Sequence, residues 1–325
     1  MDRRTFIGAV AAGIITAPLA ASAQTPTTVR RIGFLAPGAP PPPAELQEAF
    51  APLRELGWIE GQNLLVERRY AGRPELLRSL AEELVRLKVE LIVTEGTAAT
   101  LAAKNATKSI PIVIWSAADP VRMGLVASLA RPGGNITGYS VVNAELDAKG
   151  IALLRELLPA VQRVGVLENS TNPYSRVQRK DFEEACRRAA IQPIFLEVAV
   201  AKELENAVAE VARQHGQALY VQNDNLFNDN RVEITRSALK HALPTLVRQK
   251  IMLEAGGLLL YAPNRAERDR RCAALIDKIL RGAKPADLPI EQPTQFVLGV
   301  NLKTAKALRI TVPQSLLLRA DEVIQ

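Results

Sequence analysis

Polar residues that can bind a small charged molecule follow several apolar runs of this sequence, at the points where predicted β-strands end. Gly96 and Thr97 follow one such run, Ser116 follows the next, and Asp224 follows a run much later in the chain. Free backbone N–H groups and a hydroxyl at a helix start can bind a carboxylate, and an aspartate can bind an ammonium group. The carboxyl ends of parallel strands are where ligands bind in open sheets. The pattern therefore predicts a binding site for a small ligand.

Each of these residues also has a purely structural interpretation. Gly96 is suited to a turn, and Thr97 is suited to the N-cap of a helix. Asp119, which precedes a proline, fits an N-cap even better, and Asp224 fits a turn or a cap. Trp115 can stack on a ligand or fill the edge of a core, which is the more frequent place for tryptophan. The residue types alone leave both interpretations open.

Signatures of enzymes and cofactor sites are missing from the chain. No dinucleotide fingerprint, phosphate-binding loop, nucleophile elbow or zinc-protease motif occurs, and His215 and His241 have no ligand-type residue at metal-binding spacing. Cys186 and Cys272 stand 86 positions apart in helix-like segments, and we expect them to be reduced and buried, with a disulfide as the alternative that export permits. The +7 net charge is scattered over helix faces, which does not favour nucleic-acid binding. We expect no cofactor, no metal and no enzymatic activity.

The first 23 residues have the composition of an export signal. Arg3 and Arg4 form a basic start, Phe6–Leu19 an apolar centre, and Ala21–Ala23 a small-residue cleavage site. The arginine pair, with the residues after it, fits a twin-arginine signal, while a general secretory signal is the alternative. The apolar centre is shorter than the roughly 20 residues that span a bilayer. We expect cleavage after Ala23 and a periplasmic protein.

The alternation of short apolar runs with helical patterns predicts an α/β fold with parallel sheets. About 300 residues remain after cleavage, which exceeds one ordinary core and suits two doubly wound parallel-sheet lobes joined by a hinge. The predicted parts are a signal peptide (1–23), an N-terminal lobe (29–140 and 258–290), a C-terminal lobe (141–257) and a C-terminal segment crossing the hinge (291–325).

Four long runs of the sequence resemble one known family. These runs are LRELGWIEGQNLLVERRYAGR (53–73), IPIVIWSAADPVRMGLVASLARPGGNITGYS (110–140), EAGGLLLYAP (254–263) and LPIEQPTQFVLGVNLKTAKALRITVPQSLLLRADEVI (288–324). They are similar to the ABC-transporter substrate-binding proteins of the tryptophan/tyrosine-uptake type. The resemblance implies a type I periplasmic binding protein whose two lobes, joined by three crossovers, close on a ligand. It also implies an ATP-driven permease in the inner membrane as the partner.

Two departures from the family pattern leave the ligand open. The loop after the first strand is Ala-Pro-Gly-Ala-Pro (36–40) and lacks the serine that members often have, and the family's Tyr-Gly pair is Tyr261-Ala262 here. An aromatic amino acid, a branched amino acid and a small organic acid all remain candidates. A secreted enzyme on the same fold is the alternative function, and the export signal argues against a transcription regulator, which needs a DNA-binding helix pair at that end.

We expect a monomer with one small ligand held between the lobes. The predicted ligand-binding residues are Gly38, Gly96, Thr97, Trp115, Ser116, Ala117, Asp119, Tyr139, Asn169, Tyr174, Asp224 and Tyr261. For a zwitterionic ligand, the N–H groups near Thr97 would bind the carboxylate and Asp224 the ammonium. Asp224→Ala is then expected to weaken binding roughly tenfold to a hundredfold and to leave the unliganded melting temperature nearly unchanged.

Overall fold

The computed structural model describes residues 29–141 and 143–325, and the predicted signal peptide lies outside these residues. The described chain forms two α/β lobes, each built on its own sheet. The first sheet has five parallel strands in the order β2-β1-β3-β4-β5: β1 (Arg30–Ala36), β2 (Leu64–Tyr70), β3 (Leu91–Glu95), β4 (Ile112–Ala118) and β5 (Ile136–Val141). Its helices include α1 (Pro43–Glu55), α2 (Leu77–Arg86) and α3 (Thr97–Ala106).

The second sheet has seven strands in the order β12-β11-β10-β9-β8-β6-β7, and the β10–β11 pair is antiparallel. The strands are β6 (Arg163–Asn169), β7 (Gln192–Val198), β8 (Ala218–Val221), β9 (Thr245–Val247), β10 (Leu259–Pro263), β11 (Phe296–Asn301) and β12 (Glu322–Ile324). The remaining helices are α4 (Asn143–Leu157), α5 (Ser175–Arg188), α6 (Leu204–Arg213), α7 (Asn225–Asp229), α8 (Arg231–Lys240), α9 (Lys250–Glu254), α10 (Arg265–Leu280), α11 (Leu302–Ala307) and α12 (Gln314–Leu317). This architecture confirms the predicted two-lobe α/β fold.

The central strands of both sheets are continuous apolar runs because helices cover both faces of each sheet. Leu91, Ile92 and Val93 of β3 are all fully buried, and they divide between two hydrophobic clusters on opposite faces of the first sheet. On α2, Leu77, Ala81 and Leu84 recur at helical spacing and are buried in the second of these clusters. Such apolar faces position the loops that follow each strand.

The sequence assigns the segment 258–290 to the first lobe, and for the strand at its start this assignment is wrong. The strand that forms there, β10, pairs in parallel with β9, Leu259 beside Leu246, and thus belongs to the second sheet. The following helix α10 returns to the first lobe, where Cys272 and Ile276 pack in its core. An apolar strand pattern shows that a strand forms but does not specify which neighbour it pairs with.

The chain crosses between the lobes at three places: between β5 and α4, between β10 and α10, and between Glu291 and β11. Glu291 forms an isolated bridge with Tyr139 of β5, and the chain then enters the second sheet at Phe296. Tyr261 of β10 packs against the cores of both lobes and stacks on Phe296 with ring centroids 5.8 Å apart. These two aromatic rings lie at the hinge.

The two cysteines lie in different hydrophobic cores. Cys272 is buried in the first lobe and Cys186 in the second, and both are free thiols. Among the described residues, no helix is both long enough and apolar enough to cross a membrane.

Candidate functional site

A cavity of about 480 Å³ lies between the two lobes, at the carboxyl ends of the strands. The first lobe contributes the loops after β1, β2, β3 and β4, and the second contributes those after β6, β7 and β8. Because strands of a parallel sheet point the same way, their following loops and helix N-termini gather at one edge. The cavity is where the two such edges face each other.

Eight of the twelve predicted ligand-binding residues line this cavity. From the first lobe they are Gly38, Gly96, Thr97, Ser116 and Ala117, and from the second they are Asn169, Tyr174 and Asp224. Residues more than 180 positions apart in the chain thus share one space. The prediction that strand-end loops of both lobes surround a common site agrees with this geometry.

Two of the other predicted residues are core side chains. Trp115 is buried, stacks on Phe50 with ring centroids 5.4 Å apart, and donates from its indole nitrogen to Asp269 at 3.0 Å. Tyr139 is fully buried on β5. Both aromatics lie inside strands and pack in the core of the first lobe. Ser116, which follows Trp115, lines the cavity instead, because successive strand residues point to opposite faces.

Asp119 and Tyr261 also lie outside the cavity lining. Asp119 adopts a positive φ of 38°, and its carboxylate accepts a hydrogen bond from the Arg122 backbone at 3.1 Å. It therefore organises a turn after β4, and the predicted N-cap role is wrong because no helix forms in the described residues between β4 and β5. Tyr261 lies at the hinge.

The N-terminus of α3 faces the cavity. Gly96 is its N-cap with φ of 83°, and Thr97 is its first helical residue rather than the cap. The first bond into the helix is from the Thr100 N–H to the Gly96 carbonyl, so in the described chain the N–H groups of Thr97 and Ala98 have no partner. The Gly96 N–H donates to the Ser116 carbonyl at 2.7 Å, which ties the β3 and β4 loops together. Two free donors at a helix N-terminus form a suitable cradle for a carboxylate.

Asp224 is the N-cap of α7 and is surrounded by donors. One carboxylate oxygen accepts from the Leu226 backbone N–H at 2.9 Å and from the Asn169 amide at 2.8 Å, and the other accepts from the Asn172 amide at 2.8 Å. Burial raises the pKa of this carboxyl, and the three donors act in the opposite direction. Asp224 thus holds together the loops after β6 and β8 besides lining the cavity.

This geometry changes the expectation for Asp224→Ala. Removing an N-cap costs about 0.5–2 kcal/mol, and two partly buried amides also lose their acceptor. The unliganded protein is therefore expected to lose about 1–3 kcal/mol and to melt several degrees lower, instead of remaining unchanged. Differential scanning calorimetry checks this, with Asp224→Ser as the control that keeps the cap. Equal melting temperatures for wild type and Asp224→Ala would contradict the structural role.

Several lining residues were not singled out from the sequence. Glu95 ends β3, Arg268 reaches the cavity from α10, and Asp229 lies at the end of α7. Glu95 has the same sequence signal as Asp224, because each acid stands at the end of an apolar run. Nothing in the sequence near Arg268 indicates a ligand contact, because only the return of α10 to the first lobe brings it there.

The two lobes touch at points outside the ligand cavity as well as at its rim. At the rim, the Ala39 N–H donates to the Asp229 carboxylate at 3.1 Å. A Cβ on Gly38 would lie 2.9 Å from the Asn225 amide, so this glycine allows the first lobe to approach α7 closely. Further away, Arg122 of the first lobe pairs with Asp181 of α5 at 2.7 Å. The lobes are thus in direct contact around the cavity.

The model of a family described as ABC transporter substrate binding protein matches residues 46–324. A curated relative, the "Tyrosine-binding protein" of Clostridioides difficile strain R20291, is 26% identical over 257 residues, which are 79% of this chain and 74% of that protein.

Two of the solved structures that are similar to this chain differ in their ligand state. An ABC domain in complex with L-Trp from Streptococcus pneumoniae has a TM-score of 0.84 and 26% identity, covering 91% of this chain and 100% of that one. The ligand-free, open structure of a substrate-binding protein with adhesive properties from Clostridium difficile has a TM-score of 0.64 and 25% identity, with the same coverage of both chains. At similar identity, the overall shape is closer to the complex than to the open structure.

Proposed function

The chain belongs to the ABC transporter substrate-binding protein family, and on that premise we propose that it closes its two lobes on a small organic ligand and delivers it to a membrane permease. The observation that carries this proposal is the cavity of about 480 Å³, which is lined by the strand-end loops of both lobes. A site shared between two lobes couples ligand binding to closure, because the ligand contacts both lobes only when they are together. The cavity volume lies in the range of small-molecule sites.

For the ligand, we propose an aromatic or branched amino acid, with a small organic acid as the further candidate. The names of the similar proteins, one a tyrosine-binding protein and one solved with L-Trp, support an amino acid. The free N–H groups of Thr97 and Ala98 would bind the ligand carboxylate, with the Ser116 hydroxyl beside them. The amide side chains of Asn169 and Asn172 would close the site from the second lobe.

We propose the bacterial periplasm as the site of action, reached through the signal at 1–23 with cleavage after Ala23. The composition of that segment and the family both support this location. The protein would act as a monomer, bind its ligand without turnover, and have an inner-membrane ABC permease and no nucleic acid as its partner.

A thermal-shift screen tests the proposed function. The probes are the aromatic and branched amino acids together with benzoate and indole-3-propionate. A true ligand present at 100 times its dissociation constant adds roughly 2.7 kcal/mol to the stability. A clear rise in melting temperature with the amino acids or with the organic acids supports the proposal. Titration calorimetry then measures the affinity. The absence of any shift, or turnover of the bound molecule, would contradict it.

The Arg122–Asp181 ion pair supports a prediction about closure. The pair joins the lobes without lining the cavity, and the Arg122 side chain is 44% exposed. Exposed pairs contribute about 0.2–1 kcal/mol, so Arg122→Ala is expected to raise the dissociation constant of the screened ligand by up to about fivefold. The effect should shrink at high salt. Titration calorimetry at low and high salt measures both.

The matched control for this prediction is Arg78→Ala. Arg78 pairs with Glu82 on α2, at 3.0 Å, entirely within the first lobe. Its removal is expected to leave the affinity unchanged. Equal effects of Arg122→Ala and Arg78→Ala would show that the inter-lobe pair does not stabilise the closed state.

A further inference from the structure

Glu95 is a partly buried carboxylate in the cavity that lacks a partner. Within the described ranges, its side chain has no hydrogen bond and no ion pair, although it lines the site at the end of β3. Two other acidic side chains of the cavity have hydrogen-bond donors: Asp224 accepts three hydrogen bonds, and Asp229 accepts one from the Ala39 backbone. Glu75 lies at the rim and is exposed to water.

The positive charges of the lining do not neutralise Glu95. Arg268 donates to Asp269 from two nitrogens, at 2.9 and 2.8 Å, and Asp269 is itself buried. Arg73, the other arginine of the lining, is exposed. Burial raises the pKa of the Glu95 carboxyl, the charges of Arg268 and Arg265 act in the opposite direction, and those of Asp269 and Asp229 add to the rise. The described lining thus contains four acidic side chains and two arginines, and one of these arginines, Arg268, is paired with Asp269.

A second group in the lining also lacks a donor. The side-chain oxygen of Asn228, on α7 of the second lobe, is buried and has no hydrogen-bond partner in the described residues. An unpaired buried acceptor is costly, and a ligand with several N–H donors would satisfy it. Both unpaired groups are acceptors, so the cavity favours a ligand that supplies donors.

We propose that Glu95 is the counter-ion for a positively charged amine of the ligand and that it selects amine-bearing solutes over simple carboxylic acids. Glu95 stands two residues before Thr97, so the Cα atoms of these residues are at most about 7 Å apart. Glu95 and the free N–H groups of α3 therefore belong to one short stretch of the lining, and an amino acid likewise carries its two charged groups close together. This inference rests on the proposed function and decides between the amino acids and the organic acids that it leaves open.

Titration calorimetry with three related probes tests the inference. The probes are L-tryptophan, indole-3-propionate, which lacks the amine, and tryptamine, which lacks the carboxylate; L-leucine, isocaproate and isoamylamine form a second such series. Wild type is expected to bind the amino acid of one series at least tenfold more tightly than its amine-free analogue. Glu95→Gln should lose at least tenfold in affinity for the amino acid and change little for the amine-free acid. Glu55→Gln is the matched control and should bind as wild type does, because Glu55 is an exposed acid at the end of α1 that does not line the cavity.

The outcomes separate the inference from the proposed function. If wild type binds an amino acid and Glu95→Gln binds it equally well, the counter-ion role is wrong while the binding function stands. If wild type binds none of the six probes, the proposed ligand class fails and the inference with it. The ligand-free melting temperature is a further readout: Glu95→Gln should leave it unchanged or raise it, because an unpaired charge is removed. A clear decrease would show that Glu95 has a structural role and would overturn the inference.

Discussion

Gly138→Ala is expected to destabilise the first lobe by about 3–5 kcal/mol, which lowers the melting temperature by roughly 10 °C. Gly138 lies in the middle of β5 with φ of 140°, a backbone conformation that side chains rarely adopt. A Cβ at this position would lie 2.4 Å from both the backbone nitrogen and the carbonyl oxygen of Ile114 on the neighbouring strand. Backbone atoms of a central strand cannot move aside without breaking sheet hydrogen bonds.

The same glycine supports the crossing between the lobes. Its carbonyl accepts a hydrogen bond from the Glu291 N–H at 2.8 Å, so a shift of β5 would also disturb the segment that leads to β11. Gly134→Ala is the matched control, because a Cβ there would have no atom within 4 Å. Urea unfolding followed by tryptophan fluorescence reports on the first lobe, where both Trp58 and Trp115 lie. Equal midpoints for the two variants would contradict the predicted clash.

Asp147→Leu is expected to destabilise the second lobe by about 3–5 kcal/mol. Asp147 is fully buried on α4 and accepts hydrogen bonds from Arg248 at 2.6 Å and Gln178 at 3.2 Å, and also from the Tyr220 hydroxyl. Arg248 is almost as deeply buried, and in the described structure Asp147 is its only salt-bridge partner. Removing the carboxylate leaves a buried guanidinium without a counter-ion, which costs more than the pair contributes to stability.

The double variant Asp147→Leu/Arg248→Met provides the control. It removes both charges and fills the space with apolar atoms, so we expect it to recover at least half of the stability that Asp147→Leu loses. Urea unfolding followed by far-UV circular dichroism measures the loss and the recovery. A double variant as unstable as the sum of the two single variants would show that the charges do not act as a pair.

The sequence was sufficient to predict the class of the fold and the general place of the site. Alternating apolar runs and helical patterns are local signals, and they correctly predicted two α/β lobes. The edge of a parallel sheet at which loops gather follows from strand direction alone. The strand-end residues Gly96, Thr97, Ser116 and Asp224 could therefore be selected without a structure, and all four line the cavity.

Structural features that depend on contacts between residues far apart in the chain could not be predicted from the sequence. The pairing of β10 with β9, the burial of Tyr139, and the contact of Arg268 with the cavity each depend on how elements far apart in the chain pack together. Asp224 and Glu95 illustrate the physical reason most clearly. Both are acids at the end of apolar runs, but Asp224 accepts hydrogen bonds from its own helix and from two asparagine amides, while Glu95 has no donor in the described chain. Whether a buried charge is satisfied depends on its three-dimensional surroundings, and only the tertiary structure determines these.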